Sequence, residues 1–309
     1  MMNRSPPPLD QERQHNAEDH TARTTRENSI RRNPHPDFKL AEASRPDWRP
    51  GDPSWTYTKT VNPTWQFGQG SNDGGECLKK AHVEINPYEE GRPAVYNYKL
   101  MISGIVPRPI GFLSTVGKDG RSMNLAPFSF TNMINYDPPL FTVGFTGCGL
   151  QNAKDTLGNL IDTRECVLNI ISEHFVEAAN ACSINAPYGV SEWDISGLHP
   201  AESRFVKPPR VKEAIYATEC RLSELREFES RDPATPGKKT GVLAILEGVN
   251  FWVREDALNE ERNIIDPAVL RPISRLGGIT YACTTQAFEL LRPKFEDAVE
   301  AGVVPEPEA

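Results

Sequence analysis

Between residues 110 and 284 the chain runs as short apolar and β-branched segments cut by turn residues, with few stretches in helical spacing. This pattern constrains the fold more than any other feature. A doubly wound parallel sheet needs strands and helices in strict alternation, whereas a mainly antiparallel barrel with a few helices does not. Strands are predicted at 110–116, 124–132, 140–145 and 166–171, with a long pair at 214–225 and 240–253 and a last strand at 279–284. Gly117-Lys118-Asp119-Gly120 reads as a hairpin turn, because Asp-Gly tolerates the positive φ such turns need. Tyr136-Asp137-Pro138-Pro139 breaks the chain, and residues 227–239 read as an exposed charged connection. A short helix or turn is predicted at 98–102, and helices at 154–161 (apolar at 157, 160 and 161) and at 174–182. A short one at 266–270 has Asp as N-cap and Pro at its first position.

The periodic pattern starts only near Tyr96. The first 40 of the 309 residues contain eight apolar ones in no regular order. Such a segment cannot bury enough area to offset the entropy lost on ordering, and it is expected to be disordered. Residues 41–92 space Trp48, Trp55, Tyr57, Trp65 and Phe67 between prolines and glycines, which suits either an extended arm across the domain or a linker. The expected division is an extension over 1–95, a folded domain over 96–290 and an acidic tail over 291–309, frayed from Glu296.

A net charge of −8 argues against non-specific binding to nucleic acid or anionic membranes. No run of about 18 apolar residues suggests a spanning helix. The six cysteines (77, 148, 166, 182, 220 and 283) form no C-x-x-C pair, and the polar, Pro-rich start carries no secretory signal. They read as free thiols packed as small hydrophobes, in a reducing, cytoplasmic setting. No metal site is expected. Gly147-Cys148-Gly149-Leu150-Gln151-Asn152 lacks the third glycine of a dinucleotide fingerprint. Gly237-Lys238-Lys239-Thr240 lacks the spacing of a phosphate loop, and neither H-E-x-x-H nor G-x-S-x-G occurs. A nicotinamide nucleotide would have to bind without a Rossmann unit.

Four segments together can build a site for a phosphorylated aromatic ring. Ser114 and Thr115 end a strand with two hydroxyls. A helix starting at Lys154-Asp155-Thr156 offers unpaired N–H groups, a cation and a hydroxyl, which suit a phosphate dianion. Asn124 and the backbone of Ala126, Pro127, Phe128, Ser129 and Phe130 can hydrogen-bond a flat heterocycle, with Pro127 interrupting the ladder. Arg275-Leu276-Gly277-Gly278 allows close backbone approach. Taken singly, each has an ordinary structural reading as a strand end, a helix cap or a turn. His174 reads as a solvated helix-start residue, and Trp193 and Trp252 as packing residues.

In this order the segments resemble the flavin reductase-like domain of the FMN-binding split-barrel superfamily. The resemblance rests on Pro107-Arg-Pro-Ile-Gly-Phe-Leu-Ser-Thr115, Asn124-Leu-Ala-Pro-Phe-Ser-Phe130, Lys154-Asp-Thr-Leu-Gly-Asn-Leu160, Cys166-Val-Leu-Asn-Ile-Ile-Ser172, Val206-Lys-Pro-Pro-Arg210 and Arg275-Leu-Gly-Gly278, and covers about 96–286. It implies a homodimer with FMN near the interface, its phosphate by Ser114, Thr115, Lys154, Asp155 and Thr156 and its ring along Asn124 to Phe130, with Arg275 and Gly277 closing the site. It further implies NADH or NADPH as electron donor and a flavin reductase, which in some members serves a monooxygenase partner. An FMN-bound electron carrier, a flavoprotein oxygenase or a flavin-binding protein without turnover remain open. Hydride transfer needs no side-chain acid or base, so the catalytic residues are unknown.

Overall fold

The computed structural model describes residues 25, 30, 32–47, 54–187 and 189–305. The strands are β1 (Thr56–Tyr57), β2 (Arg108–Pro109), β3 (Gly111–Val116), β4 (Met123–Phe128), β5 (Thr131–Tyr136), β6 (Pro139–Thr146), β7 (Glu165–Ile170), β8 (Pro200–Ala201), β9 (Arg210–Val211), β10 (Tyr216–Glu229), β11 (Lys239–Val253), β12 (Ile273–Arg275), β13 (Tyr281–Cys283) and β14 (Gln286–Ala287). The helices are α1 (Phe38–Ala43), α2 (Ala94–Gly104), α3 (Asp155–Thr163), α4 (Val176–Ala181), α5 (Glu192–Ser196), α6 (Pro267–Leu270) and α7 (Phe295–Glu300).

A seven-stranded antiparallel sheet in the order β4-β3-β7-β10-β11-β6-β5 forms the body. Its two edge strands, β4 and β5, are sequence neighbours joined only by Ser129 and Phe130. The two ends of the order therefore meet, and the sheet must curl into a barrel that is open between β4 and β5. Residues alternate faces along a strand. Accordingly Phe141, Val143 and Phe145 of β6, Val242, Ala244 and Leu246 of β11, Cys220 and Leu222 of β10, and Cys166 and Leu168 of β7 share one interior core. Leu157 and Leu160, at helical spacing on α3, join that core.

Strand β3 is buried on both faces. Leu113 enters the barrel, while Phe112 packs in an outer core with Leu125, Ile171, Phe175, Trp193 and Ile273. This double burial explains why 110–116 reads as a continuous apolar run rather than an alternating one. Gly111 is needed here, since a Cβ would lie 2.7 Å from both Leu168 Cδ1 and Thr131 Oγ1.

Several expectations are corrected. Residues 124–132 are two strands: after Phe128 the chain crosses from one sheet edge to the other, where Phe130 O accepts from Gly144 N at 2.8 Å. The exposed connection is shorter than 227–239, because the β10–β11 ladder runs out to Glu229 opposite Lys239, where the two form a 2.7 Å ion pair. Most of the first 40 residues, and Trp48, lie outside the described residues. Residues 38–40, expected disordered, begin α1, whose N-cap Asp37 accepts from Leu40 N. The segment near Trp55 is docked rather than loose: β1 pairs in parallel with β14. The tail expected to fray from Glu296 forms α7, with the Asp297 carboxylate bonded to Lys294 N. Among the described residues no helix is long and apolar enough to cross a membrane. The six cysteines are free thiols.

Candidate functional site

The site grows from the open edge of β4. Pro127, opposite Phe112, has no N–H, so that pair cannot be a hydrogen-bonded one. The alternation then turns Met123 and Leu125 backbone groups away from β3, toward the free edge. Helix α5 satisfies them: Ser191 Oγ donates to Met123 O at 3.1 Å, and Leu125 N donates to Glu192 Oε2 at 3.2 Å. Beyond this cap, Ala126, Pro127, Phe128, Ser129 and Phe130 are half-buried, and no strand flanks them on that side. An unflanked strand edge offers backbone donors and acceptors to a ligand.

Next to this edge lies the start of α3. Asn124 Nδ2 donates to Thr156 Oγ1 at 2.7 Å, and Asn159 Nδ2 to Thr115 Oγ1 at 3.2 Å. Both pairs are buried, and they pin the helix start against the β3–β4 hairpin. Lys154 is the N-cap residue, and its own side chain makes no cap hydrogen bond. The first-turn N–H groups and positive dipole end of the helix are those of an anion seat.

Glu192, 5% exposed, caps the β4 edge from below. Burial pushes its carboxyl above the usual range, and the nearby Asp155 charge adds to this, against the Leu125 N–H. A cleft of about 300 Å³ borders Asn124, Asp155, Asn159, Ser191 and Asp194, with Arg121 at its wall. Two carboxylates line it, so an anion is better placed toward Lys154, which is not part of that lining.

Ser114 and Thr115 are fully buried and turn to opposite sides of β3, as successive strand residues must. Ser114 Oγ donates to Pro209 O, while Thr115 meets Asn159. They do not present a pair of hydroxyls to one phosphate, as expected from their adjacency. Ser114 instead belongs to a set of buried groups that hold the 203–211 loop. Asn169 Oδ1 accepts from Val211 N at 3.0 Å. Glu219 accepts from the N–H groups of Arg204, Phe205 and Val206, from Trp252 Nε1 at 2.6 Å and from Asn250 Nδ2 at 3.1 Å. Trp252 thus packs, under the Arg210 guanidinium 4.4 Å from its ring, and Trp193 lies in the outer core. His174 is exposed and bonds Glu213 O.

Arg275 and Gly277 are held by other partners. Arg275 donates to Gly278 O at 2.8 Å and lies over the Tyr281 ring. Gly277 abuts Ser103 of α2, where a Cβ would sit 3.3 Å away. None of these partners belongs to the β4–α3 group. Thus Asn124 meets Thr156 where β4 packs on the start of α3, beside Lys154 and Asp155, and Ala126, Pro127, Ser129 and Phe130 follow Asn124 along the chain, while Gly277 goes to α2 and Arg275 to the 278–281 turn. Sequence reasoning missed Asn159, Glu192 and Glu219. Asn159 alone carried a signal, one turn beyond Thr156 on the same helix.

Comparison with known proteins gives the family and the fold. The profile of the flavin reductase like domain matches residues 103–271. Nitrilotriacetate monooxygenase component B from Bacillus cereus is 35% identical, with a TM-score of 0.62, over 68% of this chain and 100% of that one. The 2-nitrobenzoate 2-nitroreductase NbaA of Pseudomonas fluorescens is 27% identical, with a TM-score of 0.59, over 70% and 98%. A split-barrel-domain protein from Shewanella frigidimarina, 18% identical with a TM-score of 0.54 over 69% and 100%, shares the fold.

Proposed function

Because this chain belongs to the flavin reductase-like family, we propose that it is an FMN-binding oxidoreductase that uses NADH or NADPH to reduce the flavin. The observation that carries this reading is the unflanked edge of β4 joined to the start of α3 through the Asn124–Thr156 hydrogen bond. A flat heterocycle with a phosphate tail fits that pairing of a strand edge with an anion seat.

In this reading Pro127 O and the backbone of Ser129 and Phe130 hold the ring, and Ala126, whose own backbone groups pair with Leu113, lines it. Lys154, Asp155 N–H and Thr156 hold the phosphate, and Asn124 orients the Thr156 hydroxyl. When bound, FMN supplies the hydride-accepting chemistry, while the protein supplies position and field. Pro127 keeps another strand from adding at the edge, and Glu192 with Ser191 fixes the height of the edge. No side chain is assigned a proton-transfer role.

The relative that is a monooxygenase component favours a soluble partner enzyme that consumes the reduced flavin. A cytoplasmic homodimer completes the proposal. Exposed Met133, Ile134 and Tyr136 on the edge strand β5 support the dimer, since they leave an apolar patch uncovered in one chain.

The test is an FMN titration followed by anaerobic addition of NADH or NADPH, read by flavin absorbance. Saturable FMN uptake and bleaching by one nucleotide are expected. Protein that takes up no FMN overturns the reading, and bound FMN that neither nucleotide bleaches reduces it to a binding role. Lys154→Ala with Thr156→Ala should weaken FMN by about 10- to 100-fold, the scale of losing charge-assisted hydrogen bonds. Unchanged affinity would move the phosphate elsewhere.

A further inference from the structure

Two motifs that fall short of nucleotide fingerprints, Gly147-Cys148-Gly149-Leu150-Gln151-Asn152 and Gly237-Lys238-Lys239-Thr240, lie against each other in the fold. The first is the turn that joins β6 to α3, and the second leads into β11 at the outer end of the β10–β11 hairpin. Gly147 N donates to Thr240 O at 2.8 Å. A Cβ on Gly149 would lie 2.7 Å from Lys239 Cβ and 2.9 Å from Glu227 Oε1, so glycine is what lets the turn come this close to the hairpin.

One carboxylate of the hairpin holds the turn. Glu227 Oε1 accepts from Leu150 N at 2.6 Å, across 77 positions of the chain. Within the turn, Asn152 Oδ1 accepts from Gly149 N at 2.6 Å. The turn is thereby fixed at Gly147, Gly149 and Leu150, and a single residue, Ala153, separates Asn152 from Lys154, the N-cap of α3. The Glu227 side chain is only 24% exposed, and Lys239 Nζ lies 3.8 Å from its Oε2 and 2.7 Å from Glu229 Oε1. Lys239 offsets part of this carboxylate charge, which would otherwise act against an anion at the helix start.

On the reading of the α3 start as the phosphate seat, we infer that Glu227 is a positioning residue for that seat and sets its preference for a phosphorylated over an unphosphorylated flavin. Glu227 touches no ligand. It fixes the 147–152 turn, the turn fixes Lys154, and the first-turn N–H groups of α3 are aimed before the phosphate arrives. Donors ordered in advance cost less entropy on binding. Ser129 and Phe130, at the ring end, lie on the β4–β5 connection and not on this turn, so loss of the clamp acts on the phosphate end.

The experiment titrates the full chain with FMN and, separately, with riboflavin, which carries the ring without the phosphate, both read by flavin fluorescence. Glu227→Ala should weaken FMN about tenfold, the scale of one charge-assisted hydrogen bond, and leave riboflavin within about twofold of the wild type. Glu227→Gln keeps an acceptor oxygen for Leu150 N and should restore FMN binding to within about twofold. In a chain already carrying Lys154→Ala and Thr156→Ala, Glu227→Ala should weaken FMN by less than about twofold more, because the two changes act on one seat. Thermal melts of the variants check that they fold. An equal loss of both flavins, as a general loosening would give, overturns the role, and so does a full additive loss in the combined variant. Tighter FMN binding in Glu227→Gln also overturns it, since the carboxylate would then act by its charge. A wild type that takes up FMN with an affinity unmoved by Glu227→Ala overturns this role alone. A wild type that takes up no FMN overturns the flavin reading, and the role with it.

Discussion

Two glutamates are buried in this domain, and their surroundings push them in opposite directions. Glu219, on β10, is fully buried and receives five N–H donors. Burial alone would raise its carboxyl, but the hydrogen bonds from Arg204, Trp252, Phe205 and Asn250 outweigh it and hold the group below its ordinary value. Glu192, under the β4 edge, is almost as buried, and its carboxyl receives Leu125 N while lying near the charge of Asp155. Its carboxyl is pushed up. Stronger desolvation and the Asp155 charge on Glu192, against the larger donor set on Glu219, separate the two. The well-supplied carboxylate staples a loop, and the poorly supplied one stands beside the candidate site, where a proton held or lost changes the field at the β4 edge.

The contrast can be broken experimentally. The largest effect expected is from Glu219→Ala, which leaves several buried N–H groups without an acceptor and should cost about 3 kcal/mol in chemical unfolding. A loss below about 1 kcal/mol would mean that the loop finds other acceptors. The amide substitutions sharpen it. Glu219→Gln keeps one acceptor oxygen but turns an NH₂ toward donors, at a cost of about 2 kcal/mol. Glu192→Gln replaces a group already biased toward neutrality and should cost under about 0.5 kcal/mol at neutral pH.

The pH dependence has the smallest amplitude and the clearest sign. Glu219, lowered in the folded state, contributes stability that is present above the unfolded glutamate pKa of about 4.3 and is lost as pH falls below it. Glu192, raised in the folded state, works the other way: above about pH 4.3 the unfolded chain gives up the proton first, so stability declines until Glu192 itself ionises. Glu192→Gln should flatten the stability profile above that pH, and Glu219→Gln should flatten it below. Profiles of unfolding midpoint against pH for the two variants check this, and interchanged profiles would reverse the assignment.

Much of the candidate site was legible because its signals are local. Lys154-Asp155-Thr156 lies directly before apolar residues at helical spacing, and α3 begins there. Pro127 marks a local break in the ladder, and it lies on an edge strand, β4. The split at Ser129-Phe130 was not legible, because both sides have strand character and only the meeting of the two sheet edges interrupts pairing. Glu192 and Glu219 were equally silent, since a lone glutamate in sequence carries no mark of the donors it will meet.

By itself, then, the sequence determined the strand-rich class, the hairpin at Gly117–Gly120, the start of α3 and the resemblance that names the family, because periodicity, turn chemistry and capping act over a few residues. The tertiary structure alone decided that Asn124 meets Thr156, that Ser114 turns to the 203–211 loop while Thr115 turns to α3, that Gly277 goes to α2 while Arg275 lies over Tyr281, and that the N-terminal segment lies on Gly278. Those outcomes depend on which distant surfaces the closing barrel brings into contact. A partner 32 positions away is set by that closure and not by its neighbours in the chain.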